Sequence, residues 1–506
     1  MGLYRKNKLF IGILLVAVIA IAALLLFFIL GRNNGREGIG RTKDDSPAID
    51  YTKLDSALGD VPEYYTTFYY ETAASHMSSL LDYIKDNKKT MTQETADEYA
   101  ADIEEILKAY SSTDVPQVFI KTDSGELSKE YSLASVAIVD SRDGKSEPVI
   151  DLKANIKIRG NSTAEVAKKS YTIKLLNKRD VFGMGEAKRW VLTANPFDKS
   201  LMRNKLVFDF AAAIGLEYTP ESTYVDVWMN GKFIGNFLLS EAIEASPSRV
   251  DINVDQGDFL IEREQERASQ GTMYFSTPVF GYRFGVNEPE NATKEQLTAL
   301  KGFTEKIEAA MQAVDWEAFT GYVDEKSYID FYILSELFKV VDFDYASTRY
   351  YIKNGKLYAG PVWDFDLSSG NADIDFYYDY SNHAGYGPDS SYIGLWCNKN
   401  FYSNCYEFPE FVEALRARYI ELQDLIVNLY RDNSLGTNQI DLLFEKFGET
   451  FDRNYTTAGW TLEKEFVLER NPASTYRSNV EYLRKWLIRR NEYLLDFLES
   501  LAEYDN

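Results

Sequence analysis

Residues 342–371 read DFDYASTRYYIKNGKLYAGPVWDFDLSSGN, two Asp-Phe-Asp triplets on either side of a strand-like run. Folding of that run can bring the carboxylates of Asp342, Asp344, Asp364 and Asp366 together. If each triplet is extended, its two carboxylates share one face about 6 to 7 Å apart at the backbone, with Phe343 and Phe365 turned into a core. Two ionised carboxylates about 6 Å apart repel by roughly 3 kcal/mol at an effective dielectric of 20, and far less in water. Burial of the cluster therefore demands a cation. Oxygen-only ligands favour Mg²⁺ or Mn²⁺, which take one or two carboxylates and fill their remaining positions with water and substrate phosphate. The competing reading is a pair of acidic strand ends facing solvent.

Moving outward, the 506-residue chain exceeds what one small core organises. Its net charge of −23 argues against nucleic-acid binding, which needs a concentrated basic surface. The only histidines, His76 and His383, and the only cysteines, Cys397 and Cys405, show no four-ligand zinc spacing. The cysteine pair allows either one small-loop disulfide or two buried thiols.

Residues 9–30 are an uncharged, almost wholly apolar run after a short segment at 1–8. As a helix this run is about 33 Å long, so a transmembrane anchor is expected. Arg5, Lys6 and Lys8 before the run nearly balance Arg32, Arg36, Arg41 and Lys43 after it. The large domain is expected outside the cytoplasm because so little chain precedes the run. Residues 31–50, rich in Gly, Asn and charge, read as a flexible linker.

Residues 51–115 read as a helical spacer: apolar positions recur at helical spacing through Leu80, Leu81 and Ile84, then Ile103, Ile106 and Leu107, with a break near Asp86. Near Pro116 the period changes to two, predicting strands at 118–121, 135–139, 154–158 and 170–175 in a mixed sheet. A helix over 199–214, capped by Asp198 and closed by Gly215, precedes a hairpin turning at Asn230-Gly231. Helices follow at 294–314 and 325–340, a second hairpin turns at Asn354-Gly355, and the chain after Pro409 is largely helical. The fold class is α+β.

Several stretches form an ordered series: IKIRGNSTAEVAKKSYTIKL (156–175), WVLTANPFDKSLMRNKL (190–206), VDVWMNGKFIGNFLLSEAI (225–243), GDFLIERE (257–264), the 342–371 stretch, EFPEFVEALRARY (407–419), and Trp486 with Arg490. In this order they resemble the CotH kinase family, the spore coat protein H type of atypical protein kinase, over about residues 116–500. The resemblance implies a domain at 116–506 with a divergent protein-kinase-like fold, a mixed or antiparallel sheet lobe plus a helical lobe. It further implies ATP and Mg²⁺ or Mn²⁺ as cofactors, and transfer of the γ-phosphate to Ser or Thr of surface or envelope proteins.

Phosphoryl transfer needs a cation on the phosphates, metal ligands, and a carboxylate to accept the hydroxyl proton. By resemblance, Lys169 is the basic position, with Lys174 as runner-up; the alternative is a surface strand lysine. Arg159, Gly160 and Asn161 resemble the family's glycine turn, where a residue without a side chain lets backbone N–H groups approach phosphate. Arg203 is a candidate phosphate contact or ion-pair partner, and Asp198 a helix cap. Glu241 sits where the family keeps a glutamate, and Glu262 is a weaker candidate of that kind. Asp344 matches the catalytic aspartate, with Asp342 able to exchange roles; Asp364 and Asp366 match the metal-binding element. Arg349 stands where some members carry a second metal-binding asparagine, a departure that supports an alternative reading as a non-catalytic surface binding module. Hydrolysis or nucleotidyl transfer is a third reading.

Overall fold

In the computed structural model, the residues described are 49–61, 73–111, 114–122, 126–140, 148–264, 273–372, 391–470 and 473–503. The chain divides into two units, 1–51 and 52–506, and nearly all described residues belong to the second. The expected membrane span at 9–30 and most of the linker lie outside the described residues. Among the described residues no helix is long and apolar enough to cross a membrane.

Three helices come first: α1 (Thr52–Gly59), α2 (Ala73–Asn87) and α3 (Gln93–Ser111). Leu80 and Ile84 of α2 and Ile103 of α3 are buried, as their spacing demands. The rings of Tyr83 and Tyr99 meet edge-on at 5.6 Å.

The period-two segment forms β1 (Gln117–Thr122), β2 (Ser132–Val139), β3 (Val149–Arg159), β4 (Ser170–Asp180) and β5 (Glu186–Thr193). Helix α4 (Arg203–Ala213) and strands β6 (Ser222–Met229) and β7 (Lys232–Glu241) follow. These strands close into a barrel in the order β1-β2-β3-β4-β5-β7-β6. Every neighbouring pair is antiparallel except β1 with β6, whose parallel ladder from Gln117↔Asp226 to Ile120↔Met229 seals it. Alternate residues such as Val118, Val136, Ile156, Ile173, Leu192, Val227 and Leu239 fill its interior. Each such burial contributes about 1.5–3 kcal/mol. The β6–β7 turn has left-handed Asn230 and Gly231, at φ 50° and 77°, the geometry of a tight hairpin.

A second, wholly antiparallel sheet contains β8 (Phe259–Arg263), β9 (Met273–Ser276), β10 (Arg283–Glu288), β11 (Arg349–Lys353) and β12 (Lys356–Ala359) in the order β12-β11-β8-β10-β9. The remaining helices are α5 (Lys294–Ala313), α6 (Trp316–Tyr322), α7 (Glu325–Phe338), α8 (Pro409–Glu421), α9 (Gln423–Asn428), α10 (Gln439–Thr456), which packs against β6 and β7 of the barrel, and α11 (Tyr476–Glu503). Helix α7 is buried continuously from Tyr328 to Phe338, so it forms the axis of the larger core. Leu483, Leu487, Leu494 and Leu498 bury one stripe of α11.

The expected fold class is corrected on two counts. The sheet lobe of a kinase-like fold with a mixed or antiparallel sheet is here a closed seven-stranded barrel and a separate five-stranded sheet, with helices packed against both. The transmembrane helix in that description has no counterpart among the described residues. The physical reason for the first error is that a barrel and a one-sided sheet share the same period-two burial pattern. Only the β1–β6 pairing separates them. Cys397 and Cys405 are free, buried thiols, and burial raises both above the ordinary thiol range.

Candidate active site

A cavity of about 300 Å³ lies where the turn after β3, the end of β8, the start of β11, and the loops at 342–347 and 363–367 converge. Gly160 permits the turn: its φ is +93°, and a Cβ there would come within 1.9 Å of the Thr163 hydroxyl oxygen. Arg159, just before it, lies over the Trp363 ring at 4.7 Å, and Arg349 lies at 5.7 Å from the same ring. One guanidinium nitrogen of Arg159, Nη1, is buried without a hydrogen-bond partner. Burial pulls Arg159 down to about 10 against the opposing charge of Asp364, and the nearby Arg349 adds to the depression. A guanidinium with one nitrogen buried and partnerless is stabilised when an anion completes its hydrogen bonding.

The acidic wall is built from both triplets, unequally. Residues 341–344 form a 3₁₀ turn, not a strand. In that geometry side chains two apart point about 240° from one another, so one face cannot hold both. Asp342 lines the cavity, whereas Asp344 does not and accepts from Arg263 Nε at 3.1 Å. Phe343 between them is fully buried, and Thr348 Oγ1 and Asn400 Nδ2 donate to its carbonyl at 2.9 and 3.2 Å. Asp364, in the left-handed region at φ 67°, and Asp366 both line the cavity. Ser347 Oγ donates to Asp364 at 3.0 Å. Burial, then the charges of Asp364, Asp198 and Asp342, push the Asp366 carboxyl well above the usual range. Among the described residues no three or more His, Cys, Asp or Glu side chains gather closely enough to hold a metal alone. The residues fit an ion that takes carboxylate oxygens from Asp364 and Asp366 and its other ligands from phosphate and water.

The family described as CotH kinase protein matches residues 156–494, which include the glycine turn and both acidic triplets. The chain belongs to the CotH kinase protein family. A curated relative, inner spore coat protein H of Bacillus subtilis (strain 168), is 26% identical over 231 residues. That match spans 43% of this chain and 59% of the relative.

Several positions that the sequence singled out lie elsewhere in this CotH domain. Lys169 is turned back on its own loop, donating to the Ala164 carbonyl at 2.7 Å, and does not line the cavity. Its neighbour Lys168 is fully buried and bonds the carbonyls of Ala194 and Asn236 and the Asn454 side chain. Lys174 is exposed on the outer face of β4, 5.7 Å from the Tyr131 ring. Glu241 accepts the Glu221 N–H at 2.9 Å and pairs with Arg249 at the barrel wall. Arg203 is fully buried; it pairs with Asp198 and donates to the Ser368 and Ser369 carbonyls at 3.0 and 3.4 Å. Asp198 accepts the Ser200 and Arg203 N–H groups at 2.9 and 2.8 Å, but the expected cap is corrected: the helix begins at Arg203, not 199, and its N-cap is Met202, with no side-chain cap bond.

Arg203 and Asn204 bond the backbone of the loop that carries Asp364 and Asp366. Asn204 accepts the Phe365 N–H at 2.7 Å between the two aspartates, and Asn371 donates to the Asp366 carbonyl at the same distance. Glu262 sits opposite Arg349 in the β8–β11 register and accepts from it at 2.9 Å and from Asn287 at 3.1 Å. Trp363, Glu264, Ser170 and Thr193 also line the cavity and were not singled out from sequence. Trp363 had a legible signal, an aromatic directly before the second acidic triplet. The other three carry none without the barrel, which places Ser170 and Thr193, and the second sheet, which places Glu264.

Proposed function

We propose that this CotH-family chain transfers the γ-phosphate of ATP to a Ser or Thr hydroxyl of an envelope or coat protein, with Mg²⁺ or Mn²⁺. One observation carries the reading: the buried, partnerless nitrogen of Arg159 shares a cavity with the carboxylates of Asp364, Asp366 and Asp342. A cationic group for phosphate, paired acids for an ion, and a further acid for a proton are the parts phosphoryl transfer needs. Arg159 replaces Lys169 as the phosphate-binding cation, and Arg349 stands beside it. Asp364 and Asp366 would hold the divalent ion, which would offset charge on the phosphates. Asp342, the member of its triplet that lines the cavity, accepts the hydroxyl proton as the acceptor oxygen bonds to phosphorus and the β–γ bridging bond breaks, releasing ADP. Asp344 is held by Arg263 and positions this turn. The relative's name, a spore coat protein, supports a structural-protein acceptor.

A second reading, a non-catalytic binding module, is favoured by the pairing of Arg349 with Glu262 inside the cavity and by the lack of a three-acid cluster among the described residues. Incubation with γ- or α-labelled ATP and Mg²⁺ or Mn²⁺ separates the possibilities. Transfer of γ-label to a hydroxyl supports the kinase; transfer of α-label shifts the reading to nucleotidyl transfer; absence of nucleotide binding leaves the module. Asp364→Asn is expected to lower γ-transfer by at least about 100-fold with the fold intact, and retained transfer would remove Asp364 from the mechanism.

A further inference from the structure

A second cavity, of about 610 Å³, adjoins the first and shares Arg159 and Gly160 with it. Lys129, Lys157, Thr172, Arg189 and Glu288 are among its lining residues. The charges in it are not evenly compensated. Arg189 is taken up by Glu244, by Glu290 at 3.4 Å and by Glu288 at 3.8 Å. Lys129 and Lys157 have no carboxylate within ion-pair distance among the described residues, nor does Lys174, which projects from the same outer barrel face. The ammonium groups of Lys157 and Lys174 lie 4.7 and 5.7 Å from one ring, Tyr131, whose π-face attracts both and gathers them. Lys129, Lys157, Arg159 and Arg189 thus outnumber Glu288 and Glu290 in the lining, in a chain of net charge −23.

We infer that this second cavity docks an acidic peptide segment of the protein acceptor, presenting a neighbouring Ser or Thr to the first cavity across the Gly160 turn. The role as acceptor rests on the phosphotransfer reading; the docking itself does not. A short run of Glu or Asp matches a patch of three lysines. A nucleic acid would extend its phosphates beyond the patch over a strongly acidic chain, where repulsion opposes it.

The test uses the intact chain without ATP. Fluorescence anisotropy compares a labelled peptide carrying Ser among several Glu residues, the same peptide with Gln for Glu, and a single-stranded oligothymidylate of equal charge. The Glu peptide is expected to bind at least about tenfold tighter than the Gln peptide and to weaken with salt. Lys129→Glu with Lys157→Glu is expected to remove about tenfold of that affinity, while the paired Lys→Arg variant keeps it. Melting temperatures and ATP binding of both variants are expected to match the parent. Equal binding of Glu and Gln peptides, indifference to charge reversal, or preference for the oligonucleotide overturns the inference. Lysine-dependent peptide binding without ATP turnover would uphold docking and reject phosphotransfer; turnover without Glu-dependent binding would do the reverse.

Discussion

At the scale of single residues, Arg159 carries most of the proposed phosphate binding. It was legible as part of a glycine turn, yet the lysine expected to do its work, Lys169, is spent on the Ala164 carbonyl. Sequence shows that a cation is near a strand start; only the path of the chain decides which cation faces inward. Arg159→Gln is expected to lower ATP affinity about 10- to 100-fold, the range for losing a charge-assisted hydrogen bond, whereas Lys169→Gln changes it little. Calorimetric titration of both variants checks this, and the reverse order of effects would restore the lysine. Lys339 offers a pH prediction. Its ammonium donates to the Ser391 and Ile393 carbonyls, and burial, reinforced by Arg490 on α11 and opposed by Glu336 on its own helix and by Cys397, lowers it from 10.5 to about 7. Between these values the unfolded chain binds more protons than the folded one, so this group makes stability rise with pH from about 7 towards 10.5. Lys339→Met is expected to flatten that part of the stability profile in denaturant titrations; an unchanged slope would show that Lys339 does not titrate there.

Among the elements, α7, α11 and the loop before residue 398 form one locked unit. Arg490 pairs with Glu336 at 2.6 Å, bonds its backbone carbonyl at 2.9 Å, and donates to the Tyr392 and Gly394 carbonyls at 2.7 Å. Glu336 also accepts the Trp396 and Cys397 N–H groups at 2.8 and 2.6 Å. Trp486, one turn earlier on α11, donates to Ser391 at 3.0 Å and lies against Gly370, where a Cβ would meet its ring at 2.4 Å. The C-terminal helix thus braces the loop that carries Asp366. Arg490→Met is expected to cost about 3–5 kcal/mol by leaving Glu336 charged and buried, and adding Glu336→Gln should recover part of that. Chemical denaturation of the single and double variants measures the coupling; strictly additive losses would contradict it. The helices and both Asn-Gly hairpins were legible because periodicity and turn chemistry are local. The 3₁₀ turn at 341–344 was not, since an Asp-Phe-Asp triplet fits either a strand or a turn, and tertiary bonds to the Phe343 carbonyl select the turn.

For the whole molecule, barrel closure has a measurable consequence. In an open sheet β1 and β6 would be edges with exchangeable amides, whereas the parallel ladder between them leaves the barrel without edges. Hydrogen exchange is expected to show β1 and β6 protected like β4, while β9 and β12, the true edges of the second sheet, exchange sooner. Rapid exchange along Gln117–Ile120 would mean the barrel is open in solution. The sequence by itself determined most of the helices and strands, the family and the glycine turn, because each depends on residue identity at short range. Tertiary structure alone decided that the sheet closes, that Asp342 and not Asp344 lines the cavity, and that Arg159 stands where a lysine was expected. Those outcomes depend on which strand edges and side chains meet across long stretches of chain, and residue periodicity carries no record of that.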